Sequence, residues 1–240
     1  MKRAFLNLRY TVPERLKAFV SGIERHGYKA EIGFPDRIGP KDLFLTWNRI
    51  NMGNVVAQKF QDHGLPVIVA ENAAWGNDFL ARRWYSLARN YHNTAGCSTW
   101  NGAERWDGLG VELADFRDEG ETVILPQRGI GSSPTRMPSN WAAGALSRYG
   151  GRIRAHPGTK ACKPLGEDLK HCGRVVTWGS GAAIKALMMG IPVISDMPNW
   201  IGEQDNSHPG RLMMLRKLAW AQWELHEIES GEAFACLLPA

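Results

Sequence analysis

The stretch Arg174-Val-Val-Thr-Trp-Gly-Ser-Gly-Ala-Ala-Ile-Lys-Ala-Leu-Met-Met-Gly-Ile-Pro-Val-Ile-Ser195 decides the fold. Val175 to Thr177 is a short β-branched run, Gly179, Ser180 and Gly181 follow at once, and Ala182 to Met189 is helix-forming. Gly190 closes that run, and Ile191 to Ser195 is extended again. The order is strand, glycine turn, helix, strand. Glycines at such a turn let an anionic group reach the backbone, where free N–H groups and the positive end of the helix dipole attract it. The same spacing also fits a tight βα turn that binds nothing. The turn alone leaves both readings open.

Upstream, the same rhythm recurs. Thr122 to Leu125 reads as a strand ending in Pro126, Gln127, Arg128 and Gly129, a second glycine turn with a guanidinium available for a phosphate. Trp141 to Arg148 is a helix, Gly151 to Arg154 a short strand running into His156 and Pro157, and Gly166 to His171 a brief helix. Three successive strand ends thus present Arg128-Gly129, His156-Pro157 and Gly179-Ser180-Gly181, a convergence that says more than any one of them. Beyond the opening stretch, Asp196 to Gly202 reads as a loop and Leu212 to Ser230 as one long helix ended by Gly231.

The first half carries a parallel series. Ala4 to Leu8 is a strand, Pro13 opens a helix through Arg25 with Leu16, Phe19, Val20 and Ile23 on one face, and Tyr28 to Ile32 is extended. Asp42 to Trp47 is the next strand, a helix runs from Arg49 to His63, and Pro66 to Ala70 is the fourth strand. Short crossovers of this kind place parallel strands side by side beneath helices, and ligands collect at the carboxyl ends of such strands. Arg9, Tyr10, Asn48, Arg49, Glu71 and Asn72 are therefore candidates. Glu71 follows an apolar strand, either as a capping or ion-paired acid or as a carboxylate facing a cleft. From Ala73 to Asp118 periodicity fails, and the run is rich in turn formers and polar aromatics, including His92 and Asp107. Either of these could act as a base or as a hydrogen-bond partner of a hydroxylated acceptor.

The 240 residues suffice for one large domain or two small ones, and 44% hydrophobic content is ordinary for a globular protein. Cys97, Cys162, Cys172 and Cys236 form no C-x-x-C pair and have no His at zinc-finger spacing, so reduced thiols in a cytoplasmic protein are expected. No segment approaches the ~18 apolar residues of a membrane span, and Met1-Lys2-Arg3 precedes too short an apolar run for a signal peptide. The net charge of +5 is spread along the chain and favours a polyanion, a nucleotide or an acidic membrane face without deciding between them. Ten tryptophans are unusual. Some must fill the core, and several lie beside glycine, asparagine or proline, where a flat ring can stack on a sugar or a base.

The segments Arg154-Ala-His-Pro-Gly158 and Val175 to Val193, set in two αβ halves, resemble the nucleotide-sugar half of compact GT-B glycosyltransferases. They are similar in particular to capsule-polysaccharide-type and small phage-encoded transferases, and the tail from Leu218 to Gly231 looks like that of the phage proteins. The resemblance implies an α/β fold of two Rossmann-like parallel-sheet halves facing across a cleft: 1–118 on the acceptor side and 119–240 on the nucleotide-sugar side. It implies no bound cofactor and no metal, with a nucleoside-diphosphate or CMP-activated sugar as co-substrate. Gln127, Arg128, Gly129, His156, Pro157, Thr177, Gly179, Ser180 and Gly181 would bind the donor, the last three through backbone N–H groups and a hydroxyl. Arg128 and His156 would neutralise the leaving group. Glu71 is the first choice of base, with His92 and Asp107 in reserve, and Arg49, Asn72, Asn93 and Arg105 are placed with the acceptor. That acceptor is expected to be a hydroxymethylated base of double-stranded DNA, flipped from the duplex, or a capsule or lipopolysaccharide sugar. A non-catalytic nucleotide or nucleic-acid binding protein of the same fold is the reading from another class. Oligomeric state is left open.

Overall fold

The computed structural model describes residues 2–8, 12–91, 102–117, 119–127, 129, 136–157 and 163–238. His92, Asn93 and Arg128, along with Arg9 and Tyr10, lie outside them. The chain divides into two compact units, Met1–Gly102 joined by Lys217–Ala240, and Ala103–Arg216.

In the first unit β1 (Lys2–Asn7), α1 (Pro13–Glu24), β2 (Tyr28–Ile32), β3 (Leu43–Trp47), α2 (Asn51–Asp62), β4 (Val67–Asn72) and β5 (Trp84–Arg89) follow in sequence. The second unit holds α3 (Glu104–Asp107), β6 (Glu121–Leu125), α4 (Trp141–Tyr149), β7 (Arg152–Ile153), α5 (Leu165–Asp168), β8 (Cys172–Thr177), α6 (Gly181–Met188), β9 (Val193–Ser195) and most of α7 (His208–Ala219). The chain then returns to the first unit as β10 (Gln222–Glu224), α8 (Leu225–Glu229) and α9 (Glu232–Leu237). The result is an α/β protein with two Rossmann-like parallel-sheet units.

The first sheet has strand order β10-β5-β4-β3-β1-β2, and the second β7-β6-β8-β9. In the first, β1 to β4 are parallel, as the short βα crossovers require. β5, which the sequence reading places in a loop, runs antiparallel to both β4 and β10. The apolar content of β5 is hidden in sequence by Arg82, Arg83 and Arg89 around it, within a stretch that reads as loop.

The C-terminal segment departs most from the sequence reading. The expected long helix from Leu212 to Ser230 breaks at Ala219, and the residues from Lys217 onward belong to the first unit. The physical reason is the core of the first unit. Trp223, Ile228, Phe234 and Leu237 are fully buried with Phe19, Ile23, Leu45 and Leu87, so α1, α8 and α9 cover one face of the sheet. α2 covers the other, packing Val56, Ala57 and Phe60 on Phe5, Phe44 and Val69. Gly22 of α1 permits the contact with α8, since a Cβ there would collide with the Ile228 carbonyl.

The units repeat one pattern. Each places its first four strands in the order second, first, third, fourth, and a Thr-Trp pair stands at the carboxyl end of each third strand, Thr46-Trp47 and Thr177-Trp178. Asn7 pairs with Thr46 in register, and Leu125 with Thr177. Both threonines are fully buried.

Candidate functional site

β8 reaches its carboxyl end at Thr177, and the turn into α6 is built around that hydroxyl. Thr177 Oγ1 donates to the Leu125 carbonyl at 2.9 Å and accepts the N–H groups of Gly179 at 3.2 Å and Ser180 at 2.9 Å. Ser180 is the N-cap of α6, its Oγ accepting the Ala182 N–H at 3.2 Å. Alanines and Leu187 carry the helix, and Gly190, at φ 74°, ends it.

The turn differs in one respect from an open row of amides. The Gly179 and Ser180 N–H groups are already taken by Thr177. Among the described residues the Gly181 N–H and the Ser180 hydroxyl hydrogen are the donors left at the positive end of α6.

Gln127, just past β6, fixes the turn from the side. Its Nε2 donates to the Gly179 carbonyl at 2.6 Å, and its own N–H is accepted by Met137 Sδ at 3.2 Å. Gly179 has no room for a side chain, because a Cβ would lie 2.8 Å from Met197 Sδ. Gly129 is left-handed at φ 64°. His156, half-buried, and Pro157, exposed, follow β7. The structure thus joins Gln127, Thr177, Gly179 and Ser180 in one hydrogen-bonded assembly, with Gly181 next in the chain as the first residue of α6.

Several residues of this assembly went unread in sequence. Ser195, at the end of β9, donates to the Trp178 carbonyl at 3.1 Å and accepts the Met197 N–H at 3.3 Å. Asp196 accepts the Trp141 indole N–H at 2.7 Å, and Trp141 meets Trp178 edge to face at 6.2 Å. Ser195 and Asp196 could have been noticed as the end of the next parallel strand. The pairing of Asp196 with Trp141 spans 55 positions and leaves no local signal.

In the first unit Glu71 lies within β4, one position before its end, directly opposite Ser86 of β5. Side chains alternate across a strand, so Glu71 shares the α2 face with Val67 and Val69. It is half-buried, and among the described residues its carboxyl has no hydrogen-bond or ion-pair partner. Burial pushes its pKa up to about 7. A desolvated carboxyl without a counter-charge is unusual in a purely structural role. Ser86 receives the Gln222 amide at 3.3 Å, and Gln222 accepts the Ala74 N–H at 2.8 Å, so the returning β10 braces the chain just beyond Glu71. Asn72 is exposed and accepts a hydrogen bond from Asn77 at 2.9 Å.

Arg49 and Asp107 are each engaged by neighbouring side chains. The Arg49 guanidinium is buried, donating to Asn54 at 3.1 Å, to Gln61 and the Asn90 carbonyl at 2.8 Å each, and lying over the Tyr91 ring. It ties α2 to the end of β5. Asp107 offers both oxygens to Arg216, at 2.9 and 2.7 Å, a bidentate pairing. Arg105 is half-buried in α3.

Among the described residues no group of three or more His, Cys, Asp or Glu side chains is placed to hold a metal. No helix among them is long and apolar enough to cross a membrane.

No protein-family model matches the chain, and no curated protein sequence matches it significantly. Among solved structures, aspartate transcarbamoylase from Trypanosoma cruzi superposes at a TM-score of 0.28 with 12% identity, over 91% of this chain and 80% of that one, a likeness too slight to carry an argument. Thermosulfurimonas dismutans KpsC, beta Kdo 2,4 transferase, superposes at a TM-score of 0.57 with 15% identity, covering 91% of each chain, and this chain shares its fold.

Proposed function

We propose that the protein is a glycosyltransferase that moves a sugar from a nucleotide sugar to a hydroxyl acceptor. The observation that carries the reading is the Thr177–Gly181 turn. It is a rigid βα turn at the positive end of a helix, with a hydroxyl and an amide left for an anion. The fold shared with a beta Kdo 2,4 transferase over 91% of each chain supports it.

In this reading the donor phosphate rests on the Gly181 N–H and the Ser180 hydroxyl, and His156 and Arg128 stabilise the charge that develops as it leaves. Two donors at the turn suit a single phosphate better than a pyrophosphate, which favours a nucleoside-monophosphate-activated sugar such as a CMP-sugar. Glu71 is the base. Its carboxylate takes the proton of the acceptor hydroxyl as the oxygen bonds to the anomeric carbon and the bond from that carbon to the phosphate oxygen breaks. With a pKa near 7, Glu71 is both available and basic enough at neutral pH. Asp107 and Arg49 have no part in this scheme, because Arg216 and the α2–β5 junction hold them.

The acceptor in this reading is a sugar hydroxyl. Turnover on oligosaccharides, measured by mass spectrometry between about 50 and 200 mM salt, is expected to change little. Activity confined to hydroxymethylated DNA and falling steeply over that range would replace the carbohydrate acceptor with a DNA base. Binding of nucleotide sugars with no transfer to either acceptor would leave a binding protein instead.

A further inference from the structure

We propose that two copies of this chain join through β2, pairing antiparallel about a twofold axis at Ala30, so that the two first-unit sheets become continuous. β2 is the outermost strand of its sheet. The Gly33 N–H donates to the Leu6 carbonyl at 2.9 Å, so in the parallel ladder Lys29, Glu31 and Gly33 turn their backbone groups toward β1. Tyr28, Ala30 and Ile32 therefore turn their N–H and C=O groups outward, and no described residue bonds to them. The β9 edge of the second sheet is treated differently. There the Asn206 side chain accepts the Val193 N–H at 2.8 Å and donates to the Val193 carbonyl at 3.0 Å. One edge is closed by a side chain and the other is open, and an open edge is a template for another strand.

Charge and parity select the occupant and the register. With Ala30 facing Ala30 of the second copy, the two exchange both backbone bonds, and each Tyr28 does the same with the opposing Ile32. Lys29 then lies directly opposite Glu31 of the other copy, twice, at the non-hydrogen-bonded positions where side chains come closest. Lys29 and Glu31 already pair along the strand at 3.4 Å, with 61% and 32% of their side chains exposed. Arg3, on the same face, is bound to Asp42 at 2.6 Å, and Glu31 adds a smaller attraction to it. Ile32 is 51% exposed, and the pairing sets it beside the opposing Tyr28. The sequence Tyr-Lys-Ala-Glu-Ile is self-complementary when read against itself in reverse.

Sedimentation velocity on the full chain tests this. The wild type is expected to show a reversible monomer–dimer equilibrium. Lys29→Glu and Glu31→Lys each place like charges opposite one another twice, and each is expected to weaken dimerisation by about tenfold or more. Mixing the two variants in equal amounts restores opposite charges at both pairs and is expected to recover the dimer. The mixture is its own folding control, because the same two polypeptides fail alone. A wild type that stays monomeric up to its solubility limit overturns the proposal, as does a dimer that neither substitution weakens or a mixture that does not recover it.

Discussion

The Thr177 hydroxyl accepts the Ser180 N–H at 2.9 Å while donating to the Leu125 carbonyl at the same distance, so one fully buried side chain joins two parallel strands to the turn that follows them. Replacing Thr177 by Val keeps the shape and strands the Gly179 and Ser180 amides and the Leu125 carbonyl. The expected cost is ~1–3 kcal/mol of stability, read by urea denaturation. Nucleotide-sugar affinity is expected to fall about tenfold as the turn loosens. Thr177→Ser should recover most of both. Donor affinity unchanged in the valine variant would remove the turn from the donor site.

Gly179 tests the same turn from the other side. A Cβ there meets Met197 Sδ at 2.8 Å and Cε at 2.9 Å. Gly179→Ala is expected to push the turn off its position and cost ~1–3 kcal/mol. Met197→Ala in that background should return part of it, since the two substitutions share one contact. Additive effects in urea denaturation would count against the contact as the cause.

Glu71 makes stability depend on pH. Burial raises its pKa from 4.5 to about 7, so between those values the native state holds a proton that the unfolded chain releases. Its contribution to stability is therefore full below about 4.5 and falls as pH rises to about 7. Glu71→Gln removes this dependence. Thermal melts at pH 4 and pH 8 are expected to show the variant gaining on the wild type at the higher pH. An equal difference at both values would mean that the carboxyl is not desolvated.

The returning C-terminal segment is structural. Phe234 is fully buried against Phe19, at 6.1 Å edge to face, and Phe234→Ala is expected to cost ~3–5 kcal/mol in urea denaturation. A change of less than about 1 kcal/mol would show that α9 contributes little to the core of the first unit.

What the sequence discloses, and what it hides, follows from the range of the interactions. The β8–α6 turn is legible because β-branched residues, glycines and a serine cap act within a few positions. The four parallel strands of the first unit are legible for the same reason. β5 escapes notice because its arginines break the alternation, and the broken C-terminal helix escapes because Trp220 and Trp223 are also compatible with a helical face. What makes Gln222 to Glu224 a strand is the free edge of β5, more than 130 positions upstream. Glu71 could be named from its place after an apolar run, whereas the absence of a partner could be read only from the fold. Arg49 and Asp107 show the converse. Their residue types suit a site, but Gln61, Asn90 and Arg216 claim them.

The central claim is sugar transfer with Glu71 as the base, and it is tested most directly by mass spectrometry of the products formed from a panel of CMP- and UDP-sugars with simple glycan acceptors. Wild type and Glu71→Gln would be run in parallel, and donor binding followed by isothermal titration. The account predicts released nucleotide and a glycosylated product with the wild type, in yields that rise as pH passes about 7. With Glu71→Gln it predicts undiminished donor binding and a loss of transfer of at least about a hundredfold. Equal turnover by the two proteins would contradict the role of Glu71, and no binding or consumption of any nucleotide sugar by the wild type would contradict the function itself.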